Sequence, residues 1–129
     1  YNAAGYPKLL MIAVMSPFCS ISLEAANHLQ SIYEQYETQS GYNKIEIITI
    51  LSSPDTTLIV NDAQIWKNAF GLTTPVTIDT DSNMYTGLGI TAFPTFYYID
   101  TATMQIMDKV EGYTGATALE NQLNQFVYE

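Results

Sequence analysis

The sequence is poor in the groups that bind metals and anions: its 129 residues hold one cysteine, one histidine, four lysines and no arginine. One thiol and one imidazole cannot assemble a structural zinc or iron–sulfur centre, so neither metal nor cofactor is expected. A lone cysteine also excludes any disulfide within the chain. Without arginine there is no planar, bidentate donor for phosphate or carboxylate ligands. Thirteen acids against those four lysines leave a net charge of −9, which repels the phosphodiester backbone and anionic lipid and argues against nucleic acid as a partner. No apolar run approaches the roughly 20 residues of a transmembrane helix. A basic, apolar leader is also missing and the chain begins at Tyr1, so it reads as a mature or trimmed form.

What is present is globular composition, 47% hydrophobic and 12% aromatic, in a length that suits a single domain over residues 1–129. The run from Leu9 to Met15 is apolar, partly β-branched and without helical period, which predicts a strand covered on both faces. Ser16-Pro17 breaks it. Beyond the break, Leu23, Ala26, Leu29 or Gln30, Ile32, Tyr33 and Tyr36 recur at spacings of three and four, predicting an amphipathic helix that starts close to Cys19 and stops near Gln39-Ser40-Gly41. The β-branched segment from Lys44 to Leu51 is the second strand, so the opening unit is strand, helix, strand with parallel pairing.

A second helix is expected from Asn61 to the stop at Gly71, with Trp66 packing it onto the sheet. A short extended piece, Val76 to Asp79, follows, then a polar turn and a helical turn over Met84 to Leu88. After Pro94 comes an apolar strand ending at Asp100, paired as a hairpin with a strand from Gln105 to Tyr113. The helix from Ala116 to Val127, with Leu119, Leu123, Phe126 and Val127 on one face, closes the chain. The fold class is therefore α/β, a central mixed sheet of four or five strands flanked by helices on both faces.

Chemistry centres on Cys19. A thiol at the start of a helix meets unpaired amide donors and the positive end of the helix dipole, and both favour thiolate. His28 lies nine residues further on, more than two helical turns away and too far along the axis to act as its base. Glu24 reads as an exposed first-turn carboxylate. No acid interrupts the strand from Leu9 to Met15, so no carboxylate is evident behind the sulfur.

With Ser16-Pro17-Phe18-Cys19-Ser20-Ile21-Ser22 at a helix start, with Gly89-Ile90-Thr91-Ala92-Phe93-Pro94-Thr95 before a strand that ends in Asp100, and with an added segment from Pro75 to Leu88, the chain resembles the thioredoxin-like superfamily. The resemblance is to its TlpA/ResA type of thiol–disulfide oxidoreductase and covers about residues 8 to 127. It implies a thioredoxin-like fold with a cis bond before Pro94 and with Phe93 and Pro94 beside Cys19. Pro94, having no N–H, would leave the main chain of Phe93 to pair with an extended substrate. It further implies that Cys19 is the nucleophile, that Pro17 and Phe18 flank the sulfur, and that the partners are cysteine-containing proteins such as apocytochromes or an external thiol or disulfide. An extracytoplasmic site, commonly with a membrane tether, is implied as well.

The departure from that family is Ser22, where the pattern usually carries the resolving cysteine. Exchange needs a second thiolate to attack the mixed disulfide, so this Cys-x-x-Ser chain performs the first half alone, with Ser22 supporting the thiolate by a hydrogen bond. Ser22 is open to three explanations: an engineered replacement, a natural monothiol form resolved by an external thiol, or loss of turnover with retention of binding. The last makes the protein a binding module using the same groove. A peroxidase would need a proline where Ile12 stands and an arginine the chain does not have.

Overall fold

A computed structural model describes residues 8–37 and 45–127 of the chain. The elements run β1 (Leu9–Met15), α1 (Ser20–Glu37), β2 (Ile45–Leu51), α2 (Val60–Ala69), β3 (Val76–Ile78), a 3-10 turn (Thr80–Ser82), α3 (Asn83–Gly87), β4 (Thr95–Asp100), β5 (Gln105–Glu111) and α4 (Ala116–Val127). The expected stop at Gly41 and the expected strand start at Lys44 lie outside the described residues.

The five strands form one mixed sheet in the order β3-β2-β1-β4-β5. β1 pairs parallel with β2 from Leu9↔Ile45 to Met15↔Leu51, and antiparallel with β4 from Leu9↔Asp100 to Val14↔Thr95. β2 pairs parallel with β3, and β4 with β5 is the expected hairpin, with a register shift between Tyr98 and Ile99. The hairpin turns through Met104, whose φ of 58° is tied by its N–H to the Asp100 carbonyl. Its last strand ends at Glu111, two residues before the expected end at Tyr113.

Both parallel connections step the same way across the sheet, and right-handed crossovers then put α1 and α2 on one face. Packing agrees: Leu29 and Ile32 of α1, Trp66 of α2 and Leu119 and Leu123 of α4 share one cluster with Met11, Ile47, Phe96 and Tyr98. The other face is thinner. There Val14, Ile90 and Tyr97 are buried with Ile12, Met84, Tyr85 and Phe93 against them, so α3 and the segment after it provide the cover.

One expectation about α1 needs correction. Leu29, not Gln30, is the core residue, and the buried face runs Ser22, Ala25, Ala26, Leu29, Ile32 and Tyr36. Leu23 is 38% exposed. It sits about 100° round the helix from Ser22, and the sheet is met by the face that carries Ser22 and Ala26. A polar residue thus holds the buried position at the start of the helix.

Candidate functional site

The site is built where β1 ends and α1 begins. β1 is held to its neighbour at its last residue by the Ser52 N–H, which donates to the Met15 carbonyl at 2.9 Å. Pro17 then stops the strand without leaving an unpaired donor, because it has no N–H. A short turn follows, closed by three hydrogen bonds. The Cys19 N–H donates to the Ser16 carbonyl at 3.2 Å. The Phe18 N–H reaches the Ser16 hydroxyl at 3.3 Å, and the Ser16 N–H reaches the Ser22 hydroxyl at 3.2 Å. Cys19 immediately precedes α1, its carbonyl accepting the first helical bond from the Leu23 N–H at 3.1 Å. It therefore occupies the capping position, where the amides of the first turn have no helical partners.

Ser22 has a different observed partner from the expected one. Its hydroxyl is fully buried and accepts from the Ser16 main chain, while the sulfur's hydrogen-bond partner is the Phe93 carbonyl. Helical side chains lean back toward the N-terminus, and from one turn along that direction carries Ser22 to the free N–H of the preceding turn. Ser22 thereby positions the segment that presents the sulfur.

Seventy-four residues further along the chain, the loop before β4 meets this turn. The Cys19 thiol, half-buried, donates to the Phe93 carbonyl at 3.6 Å. The Phe93–Pro94 peptide bond is cis. Pro94 is buried, and its carbonyl accepts from the Gly112 N–H at 2.7 Å. The Thr95 hydroxyl holds the Ala92 carbonyl at 2.7 Å, and the Phe93 ring stacks on Tyr85 with centroids 5.8 Å apart. Among the described residues, no backbone bond engages the Phe93 N–H. Of the six residues singled out in the sequence, Cys19 and Phe93 meet through the sulfur, Pro94 follows Phe93 across the cis bond, Pro17 and Phe18 precede the sulfur in its turn, and Ser22 is bonded to the Ser16 end of that turn. Phe18 stands 68% exposed at the rim.

The residue that sequence reasoning missed is Asp79. Only 7% exposed, its carboxylate accepts from the Ser52 hydroxyl at 2.9 Å and from the N–H groups of Met84 and Tyr85 at 2.7 and 2.9 Å. It thus fastens the end of the sheet to the segment whose Tyr85 supports Phe93. No local signal marks it, because the amides it binds lie five and six residues on, beyond the two or three residues that an N-terminal cap spans. Two other charged or titratable residues stay clear of the sulfur. Glu24 is exposed and is the fifth residue of α1, one turn later than expected. His28 is exposed and its Nδ1 lies 2.7 Å from the Tyr113 hydroxyl. Among the described residues no cluster of His, Cys, Asp and Glu is arranged to hold a metal ion, and no helix is long and apolar enough to cross a membrane.

No family model matches the chain, and no curated protein matches it in sequence. Solved structures do match. A thiol–disulfide isomerase from Corynebacterium glutamicum is 14% identical with a TM-score of 0.73, the match covering 95% of this chain and 82% of that one. The pneumococcal exposed lipoprotein thioredoxin from Streptococcus pneumoniae is 19% identical with a TM-score of 0.69, covering 92% and 84%. StoA from Bacillus subtilis is 16% identical with a TM-score of 0.67, covering 88% and 81%. The α/β sheet with its helices is thus the thioredoxin-like fold of these structural neighbours.

Proposed function

We propose that this protein performs thiol–disulfide exchange through Cys19. The observation that carries the reading is the half-buried sulfur at the start of α1, 3.6 Å from the carbonyl of Phe93 in the cis Phe93–Pro94 loop. A substrate strand laid along Phe93 can take its free N–H while its own sulfur faces Cys19. In the step itself Cys19 gives up its proton and the thiolate attacks one sulfur of a substrate disulfide. A new S–S bond joins Cys19 to that sulfur, the old S–S bond breaks, and the other half departs as thiolate. No internal thiol can resolve the product, so an external thiol must attack it, returning Cys19 and forming a new disulfide with the released substrate.

The finer assignment, to the TlpA/ResA type with cysteine-containing protein partners in an extracytoplasmic compartment, is supported by the Pro75 to Leu88 segment. The structural neighbours support it too, one of them being an exposed lipoprotein thioredoxin.

The test is stoichiometric reaction with dithiodipyridine, an uncharged disulfide that releases a coloured thione. The folded chain should react faster than the same chain unfolded in urea, and Cys19→Ser should release nothing. A folded chain that reacts no faster than the unfolded one would sink the proposal and leave a binding module in its place.

A further inference from the structure

Beside Cys19 lies a second feature that the exchange step does not use. Pro17 and Phe18 from the turn before α1 and Leu23 of α1 face Leu58, Ile65 and Trp66 from α2 and the loop before it across a groove of about 310 Å³. That is near the lower end of ligand pockets, which run from about 300 to 1,000 Å³, and suits side chains better than a cofactor. The rim is unusually apolar for a free surface: Phe18 is 68% exposed, Ile65 58% and Leu23 38%. Contiguous apolar exposure of this kind marks a contact surface. Its position is telling, because Pro17 and Phe18 are both groove wall and the two residues that precede the sulfur.

The charge around the groove has one sign. Asp62 lines it, and its carboxylate is held in place by the Ile59 N–H at 2.7 Å. Leu58 separates it from a polar cleft of about 250 Å³ that carries Asp55, Asp79 and Asp81. Asp79 is taken up by its own hydrogen bonds, whereas Asp55 and Asp81 are exposed. No lysine lines either cavity. An apolar floor continuous with the nucleophile and an acidic border select a segment that is apolar close to its cysteine and basic further out.

We infer that this groove seats a bulky apolar side chain of a substrate protein next to its reactive cysteine, with lysine or arginine residues of the same segment held by Asp62, Asp55 and Asp81. The inference rests on exchange at Cys19 and adds a substrate class to it. The covalent step is unchanged: Cys19 displaces the leaving thiolate and keeps the substrate sulfur.

The experiment uses synthetic peptides whose single cysteine is activated as a thiopyridine disulfide, so that each attack by Cys19 releases one thione. A peptide with leucine or phenylalanine beside the cysteine and lysines further out should react roughly tenfold or more faster than one with glycine and serine at the apolar positions, the discrimination expected for burying one such side chain. The same apolar peptide with glutamates for lysines should be slower still at low salt, and the difference should shrink at high salt. Ile65→Ser should abolish the apolar preference while leaving the dithiodipyridine rate unchanged. Asp55→Asn with Asp81→Asn should weaken the salt dependence, Asp62 being retained; Asp81 has a φ of 54°, which asparagine tolerates. Equal rates for all peptides, alongside fast reaction with dithiodipyridine, would overturn the groove and leave exchange standing. Slow reaction with dithiodipyridine would instead remove the exchange reading. In that event Cys19→Ser and a cysteine-free peptide still test the groove through the emission of Trp66: a shift with the apolar basic peptide alone supports it, and no shift overturns it.

Discussion

Ser22 shows how much a single hydroxyl can organise. Buried completely, it satisfies the Ser16 N–H in the turn that presents Cys19. Replacing it by alanine leaves a buried donor without an acceptor, which costs about 1–3 kcal/mol. Ser22→Ala should therefore lower the urea midpoint by a corresponding amount and blunt the dithiodipyridine reaction without abolishing it, since the sulfur itself is retained. Ser22→Cys is the more informative change, because it puts a second thiol one helical turn from Cys19. The first thione would leave with Cys19 in mixed disulfide; the introduced thiol would then displace the second thione and close an internal disulfide. With one equivalent of reagent, a chain about two mass units lighter and free of thiopyridine, read by mass spectrometry, would show that the turn holds the geometry of a two-thiol site. A chain that keeps thiopyridine would show that it does not.

The elements make the same point about faces. In α1 the choice between the Leu23 side and the Leu29 side separates surface from core, although both residues fit a spacing of three and four. Leu29→Ala empties a fully buried position and should destabilise by about 3 kcal/mol, whereas Leu23→Ala should stay within about 0.5 kcal/mol; chemical denaturation of the two variants checks both. Strands β1, β2 and β4 and helices α2 and α4 were readable in the sequence to within a residue or two, since their apolar runs are long and their stops are glycine, proline or polar clusters. Leu23 was misread because periodicity records which residues share a stripe but not which of two adjoining stripes meets the sheet. Asp79 was hidden for another reason: its partners come from two separate segments, Ser52 after β2 and Met84 with Tyr85 in α3, and no local pattern reports a carboxylate that joins them.

For the molecule as a whole, the juxtaposition that matters most was legible only through likeness to a family. Cys19 and Phe93 are separated by 74 positions, and nothing in the residues between them dictates that they meet. Alkaline pH offers a test of the assembled core. Burial, aided by the charge of Asp108, pushes the Tyr98 hydroxyl well above its ordinary value, and burial together with the Glu37 hydrogen bond takes Tyr33 up to about 12. A folded-state pKa raised in this way favours the protonated fold, so its contribution is complete below the unfolded value of about 10 and is lost as the pH climbs above it. Stability should be flat in this respect up to about pH 9 and fall beyond pH 10. Tyr98→Phe should flatten that decline when urea midpoints are plotted against pH; Tyr33, mostly solvated, should matter little. The half-buried sulfur at the head of α1 has a consequence of another kind. Because it has no counterpart in the chain, any disulfide it forms has to be with another molecule. Reduced and disulfide-bonded forms of this protein therefore differ in composition and mass. The conversion between them is second order, depending on how much partner is present, and dilution slows it as no dilution slows an internal bond.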